Sequence, residues 1–200
     1  MRDNIETIQP VPLMDSEGLK CFEETTRRSQ CYLEYGTGGS TVYAARIARV
    51  PIIISVDSDR IWLENVKASA SVADSKLYIE HCDIGEVGEW GTPKNKDKIE
   101  NFWAYIATPW RIAKRNNLAP DAVLIDGRFR VASFLFSLLT ARVGTVILFD
   151  DYLDRPQYFV VEGFCQLEEK RGRMGVFLVT RNYSVSDICE RIAQYSILWS

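Results

Sequence analysis

The sequence predicts an α/β fold: a doubly wound, mostly parallel sheet covered by helices on both faces and finished by a C-terminal antiparallel hairpin. Three observations predict it. Apolar, β-branched runs recur at 31–35, 52–56, 76–83, 120–126 and 144–151, and runs with little alternation suit strands buried on both faces. Segments of helical periodicity separate those runs, and right-handed crossovers then make the sheet parallel and gather the strand C-termini at one edge. Finally, 163–170 and 174–180 are two strand-like runs joined by Arg171-Gly172-Arg173, a short hairpin turn.

Each element has a local reason. Residues 1–29 form a leading arm: 1–13, with Pro10 and Pro12, are irregular, and Asp15 or Ser16 caps a helix reaching roughly Arg28 with Leu19, Phe22 and Thr26 inward. Strand 31–35 runs into Gly36, Gly38 and Gly39, and 41–49 carries Tyr43, Ala44, Ile47 and Ala48 at helical spacing. Pro51 punctuates before 52–56, which ends at Asp57; Asp59 then caps a helix marked by Ile61, Trp62 and Val66. After strand 76–83, residues 85–119 depart from strict alternation as an aromatic-rich insertion. There Trp90 and Lys94, Lys96 and Lys98 precede a stripe of Ile99, Phe102, Trp103, Ile106, Trp110 and Ala113. That stripe suits core packing or a lid over a ligand, and Pro109 predicts a break or kink near Thr108. Val131, Phe134, Leu135, Leu138 and Leu139 mark the next helix, and Val185, Ile188, Ile192, Tyr195 and Trp199 the last.

Two hundred residues with 46% hydrophobic content make a single domain, 1–200, large enough for a covered sheet. A net charge of −3 argues against broad binding of nucleic acid. The five cysteines are scattered, with no Cys-x-x-Cys pair, and read as reduced thiols. The first residues lack a signal-peptide core and no run approaches the roughly 18 apolar residues of a span, so a cytoplasmic chain without membrane association is expected. His81 is the only histidine, which disfavours histidine metal sites and Ser-His-Asp hydrolysis. Self-association, a homo-oligomer included, is left open.

The stretch that carries chemistry is Cys31 to Ser40. A glycine turn opening a helix offers exposed N–H groups to a polar ligand. Asp57, 21 residues after Gly36, has the spacing at which a second strand delivers an acid to ribose hydroxyls. A dinucleotide site would want glycine where Thr41 stands, and Glu34 would repel a pyrophosphate, so a nicotinamide oxidoreductase is the weaker reading.

Glu34-x-Gly36-x-Gly38-Gly39-Ser40 resembles the first motif of class I S-adenosylmethionine-dependent methyltransferases, and the Rossmann-like order with its terminal hairpin is similar over roughly 30–182. The resemblance implies a cofactor held by Glu34, Gly36, Thr37, Gly38 and Ser40 at its methionine end. It implies Asp57 and Ser58 at the ribose, Asp83 and Ile84 at the adenine, and Asp126 as a further cofactor-binding residue beside the acceptor. It further implies methyl transfer to a small-molecule acceptor, oxygen favoured, with Asp126 and Asp150 as catalytic candidates. Asp126 with Asp150-Asp151 also resembles the ligand set of divalent-metal O-methyltransferases, which implies Mg²⁺. Arg128 and Arg130 depart from that pattern and suit an acceptor carboxylate or phosphate. Asp154 with Arg155 reads as a surface pair, and Arg171 and Arg173 as a solvated hairpin. Lacking an evident base, the chain also fits a methyltransferase-like binding or regulatory protein without turnover.

Overall fold

The computed structural model of the chain describes residues 6–199. Seven strands form one sheet in the order β3-β2-β1-β4-β5-β7-β6. The parallel strands are β1 (Cys31–Tyr35), β2 (Ile52–Asp57), β3 (Lys76–His81), β4 (Ala122–Ile125) and β5 (Val146–Phe149). The antiparallel hairpin of β6 (Leu167–Arg171) and β7 (Met174–Leu178) docks on β5. The sheet order reverses between β1 and β4, the switch point where ligands of such sheets bind.

The helices divide between the two faces. α1 (Ser16–Thr26), α2 (Gly39–Arg46) and α3 (Arg60–Ala70) cover the side on which Tyr32, Ile53, Leu124 and Leu148 pack. α4 (Phe102–Arg115), α5 (Arg130–Thr140) and α6 (Val185–Tyr195) cover the side of Leu33, Ile54, Val123 and Ile147. Neighbouring residues of one strand thus feed opposite cores, the period-two geometry of a pleated sheet. The expected caps form: Asp15 accepts from the N–H groups of Glu17 and Gly18, and Asp59 from that of Trp62.

Two local expectations need correction. Pro109 lies inside an unbroken α4; the Tyr35 hydroxyl donates to the Ile106 carbonyl at 2.7 Å, serving an acceptor near the missing proline N–H. Residues 163–166 precede β6, and a 3₁₀ turn occupies Pro156–Gly163. Of the two readings of the aromatic stripe, core packing holds for most of it: Phe102, Ile106 and Trp110 are buried, as is Tyr105 beside them, while Trp103 stays partly exposed.

Candidate functional site

The sheet brings the glycine turn, Asp57 and Asp126 to one edge. Gly36 has φ +92°, and a Cβ there would come within 2.9 Å of the Gly127 Cα. Only glycines at both positions let the turns after β1 and β4 approach so closely. The Asp126 N–H donates to the Tyr35 carbonyl at 3.2 Å, and the Tyr105 hydroxyl overlies Gly127 and accepts from the Arg128 N–H, also at 3.2 Å.

Glu34 is placed inside the fold rather than at a ligand. Its fully buried carboxylate accepts from the hydroxyls of Tyr32, Ser40 and Thr41. Thr41, standing where a dinucleotide motif has glycine, also accepts from the Gly38 N–H at 3.0 Å. Glu34, Ser40 and Thr41 therefore clamp the turn to α2, which corrects the expectation that Glu34 and Ser40 face a cofactor. Burial lifts the Glu34 carboxyl to about 7 against the pull of its three hydroxyl donors.

That shift has a measurable sign. The folded chain holds a proton that the unfolded chain releases near the ordinary carboxylate range, so Glu34's contribution is full below that range and is lost as pH rises through about 7. The shift corresponds to about 3 kcal/mol. Urea unfolding at about pH 5 and about pH 8 is expected to show a shallower pH dependence for Glu34→Gln than for the wild type; an unchanged slope would contradict the assignment.

Asp57 and Ser58 do reach the cleft, but the protein's own groups meet them there. Asp57 Oδ2 accepts from the Thr37 N–H at 2.8 Å and from Thr37 Oγ1 at 3.0 Å, and Oδ1 accepts from the Asp59 N–H at 3.0 Å. Burial pushes its carboxyl above the usual range, opposed by those bonds. The Ser58 hydroxyl donates to the Gly91 carbonyl at 2.8 Å, and a Cβ on Gly91 would lie 2.5 Å from Ser58 Oγ. The main chain around Gly91 thus covers Ser58 and lies close to Asp57. Trp62 Nε1 donates to the Thr37 carbonyl at 2.7 Å, and the arm crosses α2's first turn where a Cβ on Gly39 would overlap the Val11 carbonyl. Gly38 remains the open position, with only the Trp62 ring 4.0 Å from its notional Cβ.

The covering segment, 85–98, is tied down at both ends. Gly88 and Thr92 form a tight turn, and Trp90 within it has φ +59° while its side chain is exposed. Asp83, the expected adenine-side acid, is exposed and pairs with Lys98 of this segment, while Ile84 is buried. His81 Nε2 meets the Ser58 carbonyl at 3.0 Å. An open hollow of about 300 Å³ lies against α4, lined by Glu80, Thr108, Arg111, Lys114 and Arg115.

Asp126, Asp150 and Asp151 can bring one oxygen each within 4.8 Å of one another, yet guanidinium groups take the place a cation would fill. Arg130, 4% exposed, pairs with Asp126 Oδ1 at 2.9 Å and Asp151 Oδ2 at 3.1 Å. Arg173 clamps both Asp150 oxygens, at 3.1 and 2.9 Å, and reaches Asp151 at 3.1 Å. Arg155 adds a 3.0 Å bond to Asp151. Three positive charges balance three negative ones, so the cluster does not fit Mg²⁺, whose binding needs free, uncompensated oxygen ligands. Asp150, with both oxygens held and 1% exposed, has none to offer a substrate. Arg155 and Arg173 are accordingly cluster residues rather than the surface features their sequence neighbours imply. Asp126 alone keeps a third of its side chain (33%) exposed. Burial, with Asp150 and Asp151 nearby, raises its carboxyl to about 7 against the pull of Arg130. Phe129 and Asp151, at φ +55° and +56°, place left-handed backbone beside this cluster, the sort of local strain that accompanies functional sites.

No protein-family model and no curated protein sequence matches the chain. Among solved structures, a methyltransferase-like protein from Silicibacter pomeroyi superposes with a TM-score of 0.84 at 30% identity, covering 94% of this chain and 98% of that one. A candidate O-methyltransferase from Klebsiella pneumoniae (TM-score 0.47, 14% identity, 86% of this chain and 81% of that one) overlaps too loosely to bear on the site.

Proposed function

Because the chain belongs to the class I methyltransferase-like family, we propose that it is an S-adenosylmethionine-dependent methyltransferase acting on a small-molecule acceptor, with oxygen the favoured atom. The observation that carries this reading is the meeting of the glycine turn with Asp57 on one side and Asp126 on the other, at the switch point of the sheet. Gly36, Thr37 and Gly38 line the path of the cofactor, Asp57 and Ser58 take its ribose once the Gly91 segment lifts, and Ile84 and Asp83 border its adenine. When bound, the cofactor supplies an electrophilic methyl group.

The remaining work falls to positioning and to one proton. Asp126, partly exposed and raised to about 7 by the burial of the rest of its side chain, is matched to accept a proton from an acceptor hydroxyl near neutral pH. Arg130 holds that carboxylate in place from below through its 2.9 Å bond. In its closed position the segment 85–98 holds the Ser58 hydroxyl until the cofactor displaces it.

A second reading, a methyltransferase-like binding or regulatory protein without turnover, is favoured by one observation: Asp57 and the Asp150–Asp151 pair are already matched by the chain's own donors. Incubation with methyl-labelled S-adenosylmethionine and a panel of hydroxylated small molecules separates the two. The first reading expects a labelled product; S-adenosylhomocysteine binding with no product from any acceptor would favour the second.

A further inference from the structure

We infer that Arg128 anchors a carboxylate on the methyl acceptor, so that the substrate class is a small hydroxylated carboxylic acid; the acceptor's role rests on the methyltransferase reading, while the anion site does not. Arg128 follows Asp126 and Gly127 directly, and its N–H is fixed by the Tyr105 hydroxyl at 3.2 Å. Its side chain therefore starts from the same turn that carries the proposed base. Its head is underused. Nη1 donates to Thr92 Oγ1 at 3.2 Å, while Nε is buried without any hydrogen-bond partner among the described residues. No carboxylate among the described residues lies within ion-pair distance of it, although Arg130, Arg155 and Arg173 each have one or more. A buried charged donor left unmet is costly, and folds keep few of them.

Charge and geometry then define the ligand. Arg130, Arg155 and Arg173 pair with Asp126, Asp150 and Asp151, which leaves the Arg128 guanidinium outside those ion pairs and suits a monoanion. Nε and Nη2 share one edge of the guanidinium plane, the edge that binds a carboxylate through two parallel N–H bonds. Thr92, the present partner, belongs to the covering segment whose Gly91 rests on Ser58. Because Thr92 meets Nη1, it leaves the Nε and Nη2 edge free for a carboxylate while steadying the guanidinium from its other side.

The test reads the guanidinium itself. In a ¹⁵N-labelled sample, the Arg128 Nε–H signal, assigned by its absence in Arg128→Lys, is followed during titration with sodium acetate, with sodium chloride at matched ionic strength and inorganic phosphate as comparison arms. The expected result is a saturable shift with acetate, little with chloride, weaker binding of phosphate, and an acetate response that survives in Thr92→Val, whose lost contact lies on Nη1. An unmoved signal at about 50 mM acetate, an equal response to chloride, or tighter binding of phosphate would overturn the assignment. S-adenosylhomocysteine binding, measured separately, keeps the two ideas apart: an acetate response in a chain that binds no S-adenosylhomocysteine supports the anion site and removes the methyl donor.

Discussion

Arg130→Met is expected to cost about 3–5 kcal/mol of folding stability, the range for removing one partner of a buried ion pair. The guanidinium donates to the Gly127, Asp150 and Asp126 carbonyls at 3.1, 2.7 and 3.0 Å and to the Asp126 carboxylate at 2.9 Å. It therefore ties the ends of β4 and β5 together as well as balancing charge. Methionine keeps much of the volume and none of the donors, leaving three carboxylates crowded together with Arg155 and Arg173 as their cations. Urea unfolding near neutral pH measures the loss. Arg130→Lys, which keeps the charge but not the planar fork, is expected to fall between wild type and Arg130→Met. A Met variant within about 1 kcal/mol of wild type would show that the cluster is not the keystone described here.

The second large effect is on binding. Asp57→Ala is expected to weaken S-adenosylhomocysteine binding by about 1.5–3 kcal/mol, the worth of hydrogen bonds from ribose hydroxyls to a charged acceptor. Because Asp57 also holds Thr37 through two bonds at 2.8 and 3.0 Å, the alanine variant loosens the glycine turn too. Asp57→Asn separates the contributions: its amide oxygen can still accept from Thr37 while the charge is gone. Calorimetry is expected to place Asn between wild type and Ala, and an Ala variant with unchanged affinity would remove Asp57 from the ribose site.

Much of the fold could be read from the residues because each local signal agreed with the global one. The β-branched runs, the caps at Asp15 and Asp59 and the terminal hairpin all have causes within a few residues of themselves. The strand register was beyond such reading, and it decides the site. Phe149 pairs with Gly175, so continuing the antiparallel ladder sets Arg173 beside Asp150 and Asp151. The hairpin arginine thereby becomes the clamp of the acidic cluster. Glu34 shows a different limit: at position four of a five-residue strand it alternates onto the α2 side, where Ser40 and Thr41 await it. The motif's letters were legible, but which way the carboxylate pointed was not. The Gly91 cover joins segments 33 residues apart, a contact that no local pattern announces.

The central claim is that adenosine and the Gly91 segment compete for the same place on Asp57 and Ser58. Calorimetric titration of S-adenosylhomocysteine into wild type and Gly91→Ala tests it most directly, since a Cβ at this φ +67° position, 2.5 Å from Ser58 Oγ, unseats the cover. The account predicts one site per chain in both proteins, several-fold tighter in Gly91→Ala. No heat from either protein at about 1 mM ligand would contradict it.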